Sequence, residues 1–207
     1  MIKDILLNAF FPPVCPVCRK RISAPDSLCP DCFSRLNFFQ NNPEKQVSAV
    51  VYDDLSRQLV LALKYGDRPD LALMLARMMY NAGKDLLRDA DVLTGVPLHW
   101  KRMMFRKYNQ ATVLAFGVSK LSGIPVEPVM LKRIKSTPKQ STRAQRFENV
   151  KGAFAVNPKI SVAGKTIVLI DDVLTTGATT NACSRVLLEN GAREVKVLTF
   201  AKAQEAG

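Results

Sequence analysis

The order of apolar and polar positions divides the chain into short strands and amphipathic helices. Val47–Tyr52 is a short, almost wholly apolar run and predicts a strand. Leu55, Leu59 and Leu63, then Leu71, Leu75 and Met78, recur at helical spacing on either side of Lys64-Tyr65-Gly66-Asp67. They predict two helices with a break near Gly66 and Pro69, the proline suiting the first turn of the second helix. Asp91–Leu98 reads as a further strand closing on Pro97-Leu98-His99, and Asn109–Leu121 resumes a helical pattern. Ile124–Leu131 reads as a strand that Pro125 and Pro128 shorten or confine to an edge. Lys132–Arg146 is polar and without firm periodicity, which predicts a mobile loop leading into a short helix, and Phe154-Ala155-Val156 is a candidate edge strand. Ile167–Ile170 is apolar on both faces, the mark of a central strand in a parallel sheet. A helix over Thr179–Glu189 follows, with Cys183, Val186 and Leu187 on one face and Gly191 at its exit, and then a strand over Val195–Phe200. Strand, helix and strand at these spacings predict an open α/β fold with a mostly parallel sheet flanked by helices.

Composition narrows this without changing it. At 207 residues the chain can form one domain with a small appendage, and 47% apolar content fits a folded globular protein. The start, Met1-Ile2-Lys3-Asp4-Ile5, carries an acid and soon meets Pro12 and Pro13, a poor secretory signal. With no apolar run long enough to span a bilayer, a cytoplasmic location is expected and no membrane span. Charge changes the picture more. The net charge is +12, and residues 99–151 hold twelve bases against two acids, so ten of those charges sit in a quarter of the chain. A field of that density attracts polyphosphates or nucleic acid, or simply forms a solubilising face.

Four of the five cysteines form two CxxC pairs, Cys15-Pro-Val-Cys18 and Cys29-Pro-Asp-Cys32, with ten residues between them. Two such knuckles present four thiolates in a tetrahedron, the ligand set of structural zinc, with iron as the alternative. Unliganded thiols or disulfides are the bland reading, which a reducing compartment disfavours. Asn41–Lys45 then reads as a linker, so the expected division is an N-terminal region with a zinc ribbon over 1–45 and an α/β domain over 46–207. Arg19, Lys20 and Arg21 beside Cys18 could bring the ribbon to a nucleic-acid backbone.

The densest chemistry lies in Val168-Leu169-Ile170-Asp171-Asp172-Val173-Leu174-Thr175-Thr176-Gly177-Ala178-Thr179. Where a parallel strand turns into a helix, threonine hydroxyls and backbone N–H groups can surround a phosphate at the helix N-terminus. Gly177 permits close backbone approach, and the two carboxylates can accept ribose hydroxyls or help position Mg²⁺ carried by a ligand. Gly164-Lys165-Thr166 mimics the end of a nucleotide-triphosphate loop, but residue 159 is Lys and the triplet precedes the strand.

Asp171-Asp172, Thr175-Thr176-Gly177 and Thr179 resemble the ribose-phosphate signature of type I phosphoribosyltransferases. The wider order of motifs is similar to the ComF competence-protein family, also called GntX-like. It runs through the four cysteines, Ala62-Leu63-Lys64-Tyr65-Gly66, Pro97-Leu98-His99-Trp100, Arg102, Arg106, Asn109-Gln110, Gln140, Arg143, Arg146, Asn149-Val150 and Phe154. Lys107-Tyr108 stands where that family is expected to have Gly-Phe. The resemblance implies a type I phosphoribosyltransferase-like sheet behind the zinc ribbon, and phosphoribosyl pyrophosphate with Mg²⁺ as ligand. It implies Asp171 and Asp172 at the ribose hydroxyls and Thr175, Thr176, Gly177, Ala178 and Thr179 around the 5′-phosphate. Arg102 and Arg106, after Leu98, would approach pyrophosphate, and Lys139–Arg146 would form the active-site loop. As an enzyme the chain would displace pyrophosphate from the sugar C1, with Arg102, Lys139, Arg143 and Arg146 neutralising the departing charge. Its context would be DNA uptake or the use of imported DNA. The alternative is a non-catalytic accessory protein that binds single-stranded DNA and works with a helicase or other DNA-processing protein. His99 fits a site role or a structural hydrogen bond equally, and Trp100 a stacking surface or the core. Cys183 reads as a packed helix residue rather than a nucleophile.

Overall fold

The computed structural model describes residues 13–40, 45–65, 71–98, 108–135 and 152–204. His99, Trp100, Arg102, Arg106, Lys139, Arg143 and Arg146, with most of the 132–146 loop, lie outside them.

Four parallel strands form the central sheet: β1 (Gln46–Val51), β2 (Val92–Gly95), β5 (Thr166–Leu174) and β6 (Glu194–Lys202), in the spatial order β1-β6-β5-β2. Ile167, Val168, Leu169 and Ile170 of β5 are wholly buried, as a central strand covered on both faces requires. Val168 and Ile170 face one layer, built from α2 (Asp54–Tyr65), α3 (Leu71–Ala82), α4 (Lys84–Leu87) and α5 (Gln110–Ser122). Ile167 and Leu169 face the other, made by α6 (Ala178–Glu189) and a two-stranded antiparallel pair, β3 (Leu131–Arg133) with β4 (Phe154–Val156).

The ribbon is fused to this body rather than hung beside it. Its short helix α1 (Pro30–Ser34) begins at Cys29, and Cys15, Cys29, Cys32 and Leu36 share one buried cluster with Val47, Val50 and Leu55. Phe38 bridges Val50 in antiparallel fashion, so the chain leaving the ribbon adds an edge to β1.

Three expectations need correction. Ile124–Leu131 is not a strand: only Val126 bridges, to Leu93, and the paired residues are Leu131–Arg133. The core face of α3 runs through Leu75 and Met79, with Met78 only half-buried, because α2, α5 and the sheet pack against α3 and widen its apolar face beyond one stripe. The strand foreseen over Asp91–Leu98 ends at Gly95. Val96 donates one last bond to the Ile170 carbonyl at 2.9 Å, and Pro97 has no N–H to extend the ladder.

Among the described residues no helix is long and apolar enough to cross a membrane.

Candidate functional site

The early end of β2 makes the site. β2 pairs with β5 only as far as Gly95 opposite Ile170, whereas β5 continues against β6 to Leu174 opposite Lys202. Asp171 and Asp172 therefore lie past the last rung on one side while held in register on the other. The strand runs through the acidic pair instead of turning at it, so the two carboxylates point to opposite faces of the sheet.

Asp172, buried on the face of Ile170, pairs with Lys64 from the last turn of α2 at 2.9 Å. Asp171, half-buried on the other face, accepts the Asp172 backbone N–H at 2.9 Å. Its charge is felt by Cys183 of α6. Burial pushes that thiol well above its ordinary range, Asp171 adds to the effect and Arg133 acts against it. Cys183 is thus a packed, un-ionised residue and not a nucleophile.

Past Leu174 the chain enters α6 through Thr175, Thr176 and Gly177. Gly177 has φ 73° and occupies the N-cap, where it offers no side-chain oxygen to the first N–H groups of the helix. A Cβ there would stand 3.4 Å from the Asn181 amide as well as in the left-handed region. Thr176 Oγ1 accepts from Ala178 N–H at 3.4 Å, and Thr180 Oγ1 is turned onto the Gly177 carbonyl at 3.0 Å. The exposed Thr175 and half-exposed Thr176 and Thr179 flank a helix N-terminus, the arrangement that receives an anion.

A cavity of about 160 Å³ collects the charged groups Lys64, Asp171, Asp172 and Arg133, together with Thr179, Asn109, Gln110 and the Val96–Leu98 turn. Thr179 is the only one of the five foreseen phosphate-loop residues that lines it; Thr175, Thr176, Gly177 and Ala178 form the neighbouring helix entry. Asn109 braces the wall. It caps α5 by accepting from Ala111 N–H at 3.1 Å and donates to the Val96 carbonyl at 3.0 Å. A larger groove of about 530 Å³, mostly apolar, adjoins it and shares Pro97, Leu98, Asn109 and Arg133.

Lys64, part of the Ala62–Gly66 motif, and Arg133 line the cavity although motif reading gave neither a role. A signal for Lys64 exists: Ser56, Val60 and Lys64 form an i, i+4, i+8 stripe on α2 whose first two members are buried, so a cation ends an inward-facing row. Tyr108, foreseen only as a departure from the family pattern, donates its hydroxyl to the Leu63 carbonyl at 2.6 Å and fixes the end of α2 beside Lys64.

In the ribbon, the sulfurs of Cys15, Cys18, Cys29 and Cys32 all lie within 4.8 Å of one another, and Cys18 and Cys29 approach to 3.5 Å. A tetrahedral zinc site with bonds of about 2.3 Å sets its sulfurs roughly 3.8 Å apart, so the four fit the ion. The first knuckle closes by Cys15 N–H to the Lys20 carbonyl at 2.8 Å and Arg19 N–H to the Cys15 carbonyl at 2.9 Å, with Arg19 at φ 64°. Burial opposes ionisation of Cys15, yet backbone N–H groups of Cys18, Cys29 and Val17 bring it down to about 6. Burial and hydrogen bonds with the neighbouring sulfurs push Cys32 up to about 12. A divalent cation among them lets all four ionise together.

Two family models match the chain, a double zinc ribbon domain over residues 6–44 and a phosphoribosyl transferase domain over residues 107–207. Competence protein F of Haemophilus influenzae is 29% identical over 92% of this chain and 90% of its own length. DNA utilization protein YhgH of Escherichia coli is 28% identical over 89% of this chain and 88% of its own. Competence protein ComFC of Bacillus subtilis is 28% identical over 86% of this chain and 72% of its own. Among solved structures, a glutamine phosphoribosylpyrophosphate amidotransferase from B. subtilis is similar over 66% of this chain and 30% of that enzyme, at 24% identity and a TM-score of 0.45.

Proposed function

This chain belongs to the family of competence protein F, ComFC and YhgH, a zinc ribbon followed by a phosphoribosyltransferase-fold domain, and from that premise we propose that its crevice binds phosphoribosyl pyrophosphate and transfers the phosphoribosyl group. One observation carries the reading. The acidic pair is held at the step where β2 ends and β5 continues, directly before a glycine-opened helix N-terminus. Carboxylates there accept sugar hydroxyls, and the helix entry at Thr175–Thr179 takes the 5′-phosphate.

In this reading a nucleophile on the acceptor forms a bond to C1 of the sugar while the C1–O bond to pyrophosphate breaks, its electron pair leaving with the pyrophosphate. Asp171 and Asp172 orient the ribose. Lys64 and Arg133 supply positive charge in the cavity, and Arg102, Arg106, Lys139, Arg143 and Arg146, outside the described residues, are the further cations that the family resemblance implies for the diphosphate. Mg²⁺, which Asp171 and Asp172 are suited to position, would neutralise diphosphate charge when it arrives with the donor. Relatives named competence protein F and DNA utilization protein YhgH support a role in the use of DNA taken up by the cell, and the cytoplasm is the compartment this role calls for.

The test is calorimetric titration of Mg²⁺–phosphoribosyl pyrophosphate into the wild type and the Asp171→Ala/Asp172→Ala variant. Saturable binding lost in the variant supports the reading. Wild-type protein that takes up no donor refutes it.

A second reading, contact with single-stranded DNA through the ribbon, is favoured by a separate observation. Phe33 and Phe38 are 48% and 54% exposed, their rings 5.6 Å apart, in a segment with exposed Arg19, Arg21 and Arg35. Exposed aromatics among cations form a platform on which unpaired bases stack. Phe33→Ala/Phe38→Ala should then weaken oligonucleotide binding at least tenfold; equal affinity of variant and wild type removes this reading.

A further inference from the structure

The Lys64–Asp172 pair is built where an ordinary core contact would serve stability as well. The two side chains are 18% and 11% exposed, with Nζ and Oδ1 2.9 Å apart. Removing two charges from water costs several kcal/mol per ion, and apolar residues of like size commonly stabilise a fold equally. A lysine kept here, at the mouth of a cavity that also holds Asp171 and Thr179, points to a ligand.

The chemistry of the ammonium group narrows which part of the ligand. Nζ carries three N–H donors and no acceptor, and one of them is spent on Asp172. Sugar hydroxyls reach carboxylates as donors, so they seek Asp171 and Asp172. The remaining N–H groups of Lys64 match an anion. The position is also rigid: Lys64 ends α2, whose adjacent Leu63 carbonyl is held by the Tyr108 hydroxyl at 2.6 Å. Asp172 fixes the other end of the contact.

Resting on the donor reading above, we propose that Lys64 is a diphosphate-binding residue: positioned by Asp172, it contacts the pyrophosphate of the donor and stabilises it as it leaves. It comes from the helix before the parallel crevice strands, outside the loops after Leu98 and between β3 and β4 that family resemblance points to. The same contact assigns Asp172 a second task, aiming Lys64, beside holding the ribose.

The experiment compares three ligands with wild type, Lys64→Met and Lys64→Gln: phosphoribosyl pyrophosphate and inorganic pyrophosphate, each with Mg²⁺, and ribose 5-phosphate, which lacks the diphosphate. Lys64→Gln keeps an N–H donor for Asp172, and so keeps the α2–β5 contact if Lys64→Met loosens it; thermal unfolding reports which of them folds. Both variants should bind the two diphosphate ligands at least tenfold more weakly and ribose 5-phosphate within twofold of wild type. Equal weakening for all three ligands, or none for any, overturns the assignment to diphosphate while leaving the donor site standing. Wild type that binds ribose 5-phosphate and pyrophosphate no better than the Asp171→Ala/Asp172→Ala variant overturns the donor reading and the proposal with it.

Discussion

Replacing Gly95 by alanine tests whether the end of β2 sets the shape of the crevice. A Cβ on Gly95 would stand 2.6 Å from the backbone nitrogen of Thr112 and 2.8 Å from the carbonyl carbon of Ala111, both in the first turn of α5. Carbon contacts settle at about 3.5 Å, so α5 must move by roughly 1 Å. Neither side can yield by rotating a side chain, because the clash is methyl against backbone. That shift pulls on the Asn109 bond to the Val96 carbonyl, at 3.0 Å, and on the close seat of α5 against α3, where a Cβ on Gly117 would lie only 2.6 Å from the Ala76 methyl. Overpacking of this kind costs about 1–3 kcal/mol. With a urea dependence of about 2 kcal/mol per M, the midpoint of unfolding should fall by roughly 0.5–1.5 M. Urea denaturation followed by circular dichroism measures it, and ligand titration on the folded protein shows whether the cavity wall has moved. A midpoint unchanged within error would refute the claim that helix and strand meet here at backbone distance.

Further outcomes follow at three places in the structure. Asp53 caps α2 by accepting from Leu55 and Ser56 N–H at 3.1 and 2.9 Å, and also takes the Asn37 amide at 2.7 Å; Asp53→Ala should cost about 1 kcal/mol in denaturation. Burial raises the Asp53 pKa, but the donors on Ser56, Asn37 and Leu55 outweigh it and hold it below the ordinary value. Its stabilisation is therefore fully present above about pH 4 and lost as pH falls through the folded value, so Asp53→Asn should flatten the acid side of the stability profile. Gly177→Ala places a methyl group at φ 73°, a strain of about 1–2 kcal/mol, and should weaken ribose 5-phosphate binding more than it lowers thermal stability; unchanged affinity would remove this turn from the site. Elemental analysis should find stoichiometric zinc in the wild type and little in Cys15→Ser, and chelation should lower the unfolding temperature of the whole domain, since the ribbon cysteines share its core.

What could be read in advance follows the strength of local signals. Leu55, Leu59 and Leu63 mark α2 because a helix lying on a sheet must repeat its apolar stripe, and Ile167–Ile170 mark β5 because four consecutive apolar residues suit a strand buried on both faces. The acidic pair and glycine turn were legible because their chemistry is contiguous. The run Ile124–Leu131 misled, since the part between its prolines is held by one bridge at Val126, made by Leu93 N–H to the Pro125 carbonyl and Glu127 N–H to the Leu93 carbonyl, and by the Thr94 hydroxyl on the Glu127 carbonyl. Local pattern cannot report such support. Lys64 stayed hidden for a related reason: its partner is more than a hundred residues away, and only the fold shows that α2 ends above Asp172.

That distance explains why the ribbon and the crevice are built as one object. Asn37, just past the ribbon helix, bonds Asp53; Asp53 caps the first turn of α2; the last turn of α2 carries Lys64 to Asp172. A helix transmits position along its axis with little bending over three turns, so fixing its N-terminus to the ribbon and its C-terminus to Tyr108 leaves the ammonium small freedom. A cation that must meet a carboxylate on a strand from another part of the chain needs that constraint, because a flexible lysine loses rotamer entropy each time it is immobilised. The ribbon is thus joined, through α2, to an ion pair it never touches. By closing the knuckles it fixes the chain that caps α2, and through α2 it holds a positive charge at the mouth of the crevice.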